Sequence, residues 1–255
     1  MSAIKTYTTS EVAKIIGIHP NTVRLYEEYQ LIPKPDRRAN GYRVFTDFHI
    51  KQLRLARILL SIEVLQNGLR KMAIEIIKTS AKANFTEAIQ LTDSYLERVQ
   101  MERHNAEEAI ATAHRILHND STKNNDPEIT KPLRRKEAAD YLQVTIDTLR
   151  NWELNGLFKI KRLRNGYRIY TNEDLQKLKI IRTLRCANYS LAAILRMMNA
   201  LSHDPKVNIR AIINTPKADD DIISACDHLL SSLDDAEEKA VNVRKHLQAM
   251  KGCFS

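Results

Sequence analysis

The chain repeats itself, and that repeat limits what it can fold into more than any other feature. Laying Thr8–Ile32 over Arg134–Phe158 without a gap places Glu11 on Glu137, Ala13 on Ala139, Thr22 on Thr148, Arg24 on Arg150, Glu27 on Glu153 and Leu31 on Leu157. Tyr26 meets Trp152, and Ile18 meets Val144. After the loss of one residue the register resumes, and Asn40-Gly41-Tyr42-Arg43 coincides with Asn165-Gly166-Tyr167-Arg168. Thr46, Leu53 and Arg57 then match Thr171, Leu178 and Arg182, while Leu69 and Met72 resemble Leu191 and Ile194. Scattered identities arise by chance, but an identical four-residue string in register with them is hard to obtain that way. Farther on, Ile89, Leu96, Val99, Ala106, Ala109, Ala113 and Ile116 align with Ile223, Leu230, Leu233, Ala240, Val243, Leu247 and Met250. These positions step mainly by three, four or seven, as one helical stripe requires. Between the halves, residues 119–131 are rich in Asn, Asp, Ser and Thr and read as a linker.

Each repeat opens as a short helix, a tight turn and a second helix. Thr8 with Glu11 three residues later fits a capping box, and Val12, Ile15 and Ile16 supply a buried face. Gly17 permits the turn, and Ile18 can plug the core. Pro20 suits the first position of the next helix, with His19 before it and Thr145 at the equivalent place in the second repeat. Val23 and the Tyr26 ring face inward, leaving Asn21, Thr22 and Arg24 outward near the helix N-terminus. This is the pattern of a helix-turn-helix. Pro33-Lys34-Pro35 is expected to stop the second helix. Beyond it, Lys34–Arg43 carries four basic residues against one acid, and Lys159–Arg168 carries five against none. Asn-Gly followed by Tyr-Arg-Val-Phe or Tyr-Arg-Ile-Tyr predicts a turn into a short strand, hence a basic β-wing beside each helix-turn-helix. Thr46 and Thr171 can cap a further helix, the latter with Asp174, and a shorter helix follows from Gly68 or Ser190.

Composition agrees. Hydrophobic residues make up 43% of the 255-residue chain but aromatics only 6%, and there are only 6 glycines, which favours helices packed through aliphatic cores. The formal charge of +9 favours a polyanionic partner. The recognition helices are not themselves strongly basic. Arg24 stands with Glu27 and Glu28, and Arg150 with Asp147 and Glu153, so the wings carry most of the local positive charge. Phosphate contacts by the wings would supply much of the affinity, with a few side chains at each helix N-terminus reading bases. No apolar run is long enough to span a membrane and no signal peptide opens the chain, so a cytoplasmic, nucleoid-associated location is expected. Cys186, Cys226 and Cys253 are too far apart for a disulfide framework or a metal-binding pair. Cys226 reads as core filling and Cys253 as a tail thiol. His104, His114 and His118 read as a solvated helix face. No cofactor, metal site or catalytic motif is expected, and the chain is not read as an enzyme.

The heads resemble the MerR family of transcription regulators. The residues that carry the resemblance are Tyr7-Thr8-Thr9-Ser10-Glu11-Val12-Ala13, Thr22-Val23-Arg24-Leu25-Tyr26-Glu27 and Gly41-Tyr42-Arg43-Val44-Phe45 in the first repeat. In the second they are Thr148-Leu149-Arg150-Asn151-Trp152-Glu153, Asn155-Gly156-Leu157 and Gly166-Tyr167-Arg168-Ile169-Tyr170. The resemblance implies winged heads, each followed by a long helix that pairs antiparallel across a dimer, and a dimer that bends and untwists promoter DNA. It also implies that Arg24, Tyr26, Arg43, Arg150, Trp152 and Arg168 touch DNA or brace residues that do, although the rings of Tyr26 and Trp152 serve equally well as core anchors. Two departures stand out: family members usually carry one head per chain, and Gln30 replaces the usual Gly before Leu31.

The expected fold is therefore α-dominated, with two winged helix-turn-helix domains joined by long helices that form an antiparallel, coiled-coil-like pair. The expected parts are a first head over 1–82, a long helix over 83–118, the linker over 119–131, a second head over 132–205, and a second long helix and tail over 206–255, with Phe85–Leu117 packing on Asp219–Met250. Candidate DNA contacts are Thr8, His19, Asn21, Thr22, Arg24, Tyr26, Arg37, Arg38, Asn40, Tyr42 and Arg43 in the first repeat. In the second they are Arg134, Arg135, Thr145, Asp147, Thr148, Arg150, Trp152, Arg162, Arg164, Asn165, Tyr167 and Arg168. The partner is double-stranded promoter or operator DNA, with RNA polymerase a candidate second partner. One chain could act as a pseudo-dimer, or two chains could form a homodimer with four heads. A DNA-bending architectural or excisionase-like factor is the alternative function, and a protein-interaction module built on the long helices a third.

Overall fold

The computed structural model describes residues 5–64, 67–117, 131–162, 166–204, 207–216 and 224–254. Helices dominate, and the sheets are small. The chain divides into two units, one made of Met1–Met101 with Ser232–Ser255 and the other of Glu102–Ser231.

The first unit opens with β1 (Thr6–Tyr7), α1 (Thr9–Ile16) and α2 (Pro20–Glu28). The Thr8–Glu11 capping box forms as expected, with the Thr8 N–H donating to Glu11 Oε2 at 2.7 Å. Val12, Ala13 and Ile16 are buried, but Ile15 is 42% exposed, because the inward stripe is centred between positions 12, 13 and 16 and Ile15 lies about 100° around the helix from that centre. Strands β2 (Asp36–Arg37) and β3 (Arg43–Thr46) follow, and the sheet order is β1-β3-β2, antiparallel throughout. The core of the head joins Val12, Ala13, Ile16, Val23, Ile32, Phe45, Ile50 and Leu53, with Ile18 and Tyr26 packed against it. Helix α3 (Asp47–Leu60) leaves the sheet, and α4 (Leu69–Ala81) starts behind Gly68, which adopts the left-handed conformation. The buried Gln52 amide ties three elements together: its Nε2 donates to the carbonyls of Leu31 and Ile77, and its Oε1 accepts from Ser80.

Helix α2 ends at Glu28, before the prolines expected to stop it. Gln30 turns left-handed (φ 59°), and the Leu31 N–H reaches back to the Tyr26 carbonyl at 2.8 Å. That six-to-one bond is a Schellman ending, which closes a helix without any help from proline.

The second unit repeats the plan. β4 (Leu133–Arg134) pairs antiparallel with β5 (Ile169–Tyr170), framing α6 (Arg135–Tyr141) and α7 (Ile146–Leu154). Helix α8 (Asn172–Cys186) begins at the Thr171–Asp174 capping box, and α9 (Leu191–His203) at Ser190, whose hydroxyl accepts from the Ala193 N–H at 2.9 Å. Helices α6 and α7 also end in six-to-one bonds, Val144 to Ala139 at 3.0 Å and Leu157 to Trp152 at 3.1 Å. At the ends of these paired helices the left-handed residues are Gly17 and Gln30 in the first repeat and Gln143 and Gly156 in the second, so each repeat places glycine at one of the two endings and glutamine at the other.

A short helix α10 (Ile209–Ile213) follows α9, and sequence periodicity gave no sign of it. The long helices are α5 (Phe85–Leu117) and α11 (Leu229–Phe254). The second starts at Leu229 rather than at the expected Asp219, because Ser224 and Asp227 close a 3-10 turn over Ala225–Asp227 first. Val99, Ala106, Ala109 and Ala113 are buried along α5, and Leu230, Leu233, Ala240, Val243, Leu247 and Met250 along α11. Ile223 and His118 lie outside the described residues, as does the linker apart from Lys131.

Within the first unit, Arg244 Nε lies 2.7 Å from Asp93 Oδ1, and Gln100 Nε2 lies 2.9 Å from Glu237 Oε1. Partner numbers fall by seven as their counterparts rise by seven, so these stretches of α5 and α11 run antiparallel two turns at a time. The end of α11 sets Phe254 on Phe48 of α3, with ring centroids 5.1 Å apart.

No described helix is long and apolar enough to cross a membrane, and no described cluster of His, Cys, Asp and Glu could hold a metal ion. His104 and His114 are exposed. Cys226 is half-buried in the turn before α11, where burial raises its thiol pKa, and Cys253 is exposed.

Candidate nucleic-acid interface

The N-terminus of each second helix projects its expected side chains. His19 Nδ1 accepts from the Asn21 N–H at 3.2 Å, and Thr145 Oγ1 accepts from the Thr148 N–H at 3.0 Å, so both cap the helices they precede. Asn21 and Arg24 are exposed and bonded to each other, with Arg24 Nη1 3.2 Å from Asn21 Oδ1. Asp147 and Arg150 are exposed at the equivalent places, while Thr22 and Thr148 are half-buried.

The first wing is a hairpin. Arg37 pairs with Arg43 across β2 and β3, the Arg38 N–H donates to the Tyr42 carbonyl, and Gly41 takes φ 81° in the turn. Asn40 Oδ1 accepts from the Tyr42 N–H at 3.2 Å, and Arg37 Nη1 donates to the Gly41 carbonyl at 3.2 Å. Arg37, Arg38, Asn40 and Tyr42 all face solvent, with Tyr42 70% exposed. In the second repeat, Arg162 and Arg168 form an isolated antiparallel bridge, and Tyr167 is 66% exposed. Arg164 and Asn165 lie outside the described residues.

Several candidates are placed differently from the rest. Trp152 is 4% exposed, which makes it a core anchor and removes it from the surface set: an indole of that size fills the space between α7 and the domain core. Tyr26, its counterpart, is half-buried against the core, and burial raises its phenol pKa. Thr8 is occupied by its capping box, and the backbone N–H of Arg134, its counterpart, donates to Glu137 Oε2 at 2.7 Å. The Arg134 side chain is exposed.

Arg43 and Arg168 are not free wing cations. Arg43 Nε lies 2.5 Å from Glu27 Oε2. Arg168 Nε lies 2.9 and 2.8 Å from the two oxygens of Glu153. Arg135 and Arg162 approach the same carboxylate at 3.5 and 3.9 Å. Glu27 and Glu153 occupy the same repeat position, as do Arg43 and Arg168, so each repeat contains one ion pair that ties its second helix to the segment leading into the next strand. Both acids are mostly buried, with side-chain exposures of 13% and 17%. An ion pair shielded to that degree holds geometry far better than a surface pair. The acids therefore act as structural braces, whereas composition alone presents them as a charge deficit. Sequence reasoning missed this pairing although all four residues were matched in the repeat.

A second equivalent pair also went unnoticed. Arg57 reaches the Ile16 carbonyl beside the first turn, and Arg182 Nη2 lies 2.9 Å from Gln143 Oε1 in the second. Each fastens the helix after the wing to the turn of the helix-turn-helix.

Comparisons with known proteins agree with this geometry. A family model for the MerR family regulatory protein matches residues 8–45, and one for the MerR HTH family regulatory protein matches residues 133–201. The chain is similar to the HTH-type transcriptional regulator CueR of Escherichia coli O6:H1, at 46% identity over 48 residues, or 19% of this chain and 36% of the relative. It is also similar to ZntR of Escherichia coli strain K12, at 38% identity over 71 residues, or 28% of this chain and 50% of the relative. YyaN of Bacillus subtilis strain 168, an uncharacterized HTH-type transcriptional regulator, is 25% identical over 116 residues, which is 42% of this chain and 84% of the relative. The chain thus matches about a third of the length of CueR and half that of ZntR. No solved structure matches it significantly. MerR-family regulators are DNA-binding transcription regulators, and with one family match in each half this chain carries two MerR-like regions.

Proposed function

We propose that this chain binds double-stranded promoter DNA through two winged helix-turn-helix heads held in one polypeptide, and regulates transcription by bending or untwisting the DNA between them. The observation that carries the reading is the duplicated brace, Glu27–Arg43 and Glu153–Arg168, which fixes a wing strand to a recognition helix in each half. A fixed angle between helix and wing is what groove reading with flanking phosphate contact requires. Exposed Arg24 and Arg150 then address bases, and Arg37, Arg38, Tyr42, Arg162 and Tyr167 address the backbone. Because Asn21 and Leu25 in one head stand where Asp147 and Asn151 stand in the other, the two half-sites differ and the operator is asymmetric.

The two long helices pair antiparallel within one chain in this reading, as the helices of two family members do across a dimer. The Asp93–Arg244 and Gln100–Glu237 contacts support that arrangement. Mass measurement of the complex on a minimal operator tests it: one chain per site is expected, and two would require a four-headed homodimer. In vitro transcription separates promoter control from DNA architecture, since an architectural factor would bend the duplex and leave polymerase output unchanged. Loss of DNA affinity on Arg24→Ala with Arg150→Ala is expected, and unchanged affinity would favour a protein-interaction role instead.

A further inference from the structure

The second repeat carries an addition that the first lacks. In the first, α4 ends at Ala81 and α5 begins at Phe85, whereas in the second α9 ends at His203 and α11 begins only at Leu229. The interposed chain includes α10, which lies along α9 and forms with it a cleft of about 710 Å³. Its walls are mainly apolar, with Ala192, Leu195 and Ala200 from α9 and Ile212 from α10, and with Arg196 and His203 among the polar groups that line it. Helices α4 and α9 are each 13 residues long, so their positions compare one for one. Where the second repeat has Ala192 and Ala200, the first has Arg70 and Lys78. The long side chains of the first repeat are thus replaced by methyl groups on the face that borders the cleft.

The wall formed by α10 is firmly attached. Arg196 Nε donates to the Ile212 carbonyl at 2.9 Å, and its Nη2 donates to those of Ile213 and Asp227 at 3.1 and 2.9 Å. Arg210 Nη2 lies 3.1 Å from Glu107 Oε1 on α5. An occupant lodged against α10 would therefore bear on α9, on the turn that leads into α11 and on α5.

We propose that the α9–α10 cleft is a binding site for a small lipophilic molecule, neutral or anionic. Its volume and apolar walls with a few polar groups match those of small-molecule sites. Its charge also selects: the Arg196 side chain lines it, and among the described residues no carboxylate does, so a lipophilic cation would be desolvated with no counter-charge. The site does not depend on the reading of the heads as DNA binders.

The test is a fluorescence titration of the full chain with anilinonaphthalene sulfonate, a lipophilic anion. Saturable binding of one probe per chain is expected, displaced by decanoate and not by tetraphenylphosphonium. Filling the cleft with Ala200→Trp, or with Ala192→Trp at a more exposed wall position, should weaken binding by about tenfold or more, roughly 1.4 kcal/mol. Lys78→Trp, at the equivalent place on α4, should leave it unchanged. Circular dichroism melting shows which variants remain folded. Absence of saturable binding, wild-type affinity in a folded cleft variant, an equal loss in Lys78→Trp, or displacement by the cation as readily as by decanoate would overturn the proposal.

Discussion

Replacing Glu153 with Gln sets two physical effects against each other with opposite signs. The substitution keeps the shape of the side chain and one carbonyl oxygen, and removes the charge that Arg168 meets at 2.8 and 2.9 Å and that Arg135 and Arg162 approach from farther away. If charge alone governed binding, the variant would bind DNA more tightly. One extra positive charge about 10 Å from a phosphate contributes roughly 0.4 kcal/mol in water, under about twofold in affinity, and salt screens part of it. If the carboxylate is a brace, the variant loses a charge-assisted contact on a group that is 17% exposed, worth about 1.5–3 kcal/mol. The wing then samples orientations that do not match the backbone, and the cost appears as about tenfold weaker binding or more. Fluorescence anisotropy on a selected operator duplex, over a series of salt concentrations, distinguishes the two. A folded Glu153→Gln protein that binds as tightly as the wild type, or more tightly, would refute the bracing argument. Glu27→Gln repeats the experiment in the other head, where the acid is 13% exposed and lies 2.5 Å from Arg43.

Other perturbations follow from the same geometry. Gln30→Gly relieves a left-handed residue on the surface and should stabilise the first head by about 0.5–1 kcal/mol in urea unfolding, the strain relieved exceeding the added chain entropy. Gln143→Gly should give less, because Gln143 also accepts from Arg182. Arg38→Ala and Arg164→Ala should weaken binding to all sequences alike and each reduce the slope of log affinity against log salt by about one; an unchanged slope would remove these residues from the phosphate contacts. His49 is buried, and burial lowers its pKa from 6.5, outweighing the opposite pull of Asp36 and Glu27. Below pH 6.5 the unfolded chain therefore takes up a proton that the folded head refuses, so stability falls from there down towards the folded pKa. Thermal melts at pH 7.5 and 5.5 should show that loss, and His49→Asn should diminish it.

How much of this was readable in advance depended on whether a residue acts through a local pattern or through a partner distant in sequence. The cap at Thr8, the starts of α4 and α9 behind Gly68 and Ser190, and the buried stripe of α11 all obey rules of three or four residues, and the structure places them as those rules require. Helix endings were less legible. Prolines at 33 and 35 are expected to stop α2, whereas Gln30 ends it; the missing Gly before Leu31 marks the position, but that glutamine itself turns left-handed there shows only in its φ and in the Leu31 to Tyr26 hydrogen bond. The capping box at Thr46 was half-seen for a similar reason. In the second head its far member is Asp174, a familiar acceptor, but in the first it is His49, whose Nδ1 accepts from the Thr46 N–H at 3.1 Å only while the ring is neutral. Helix α10 has five residues, too few for a periodicity to register.

The acids of the recognition helices show why counting charge can mislead about a binding surface. Counted along the sequence, Glu27 and Glu153 cancel the arginines beside them, and the wings look like independent basic flaps. In three dimensions each acid is spent on an arginine 15 or 16 residues ahead, at the foot of the wing. In the proposed complex that pairing removes one positive charge from what the phosphates would see and gives the flap a fixed direction in exchange. Exposed cations, among them Arg24, Arg37 and Arg38 in one head and Arg150 and Arg162 in the other, then sit on a frame whose geometry is set before any ligand arrives. A pre-set frame lowers the ordering cost of association, so fewer exposed charges can give the same affinity with sharper dependence on the shape of the partner. A modest net charge of +9 spread over two such heads is therefore compatible with selective binding of a polyanion, because direction as well as charge is fixed.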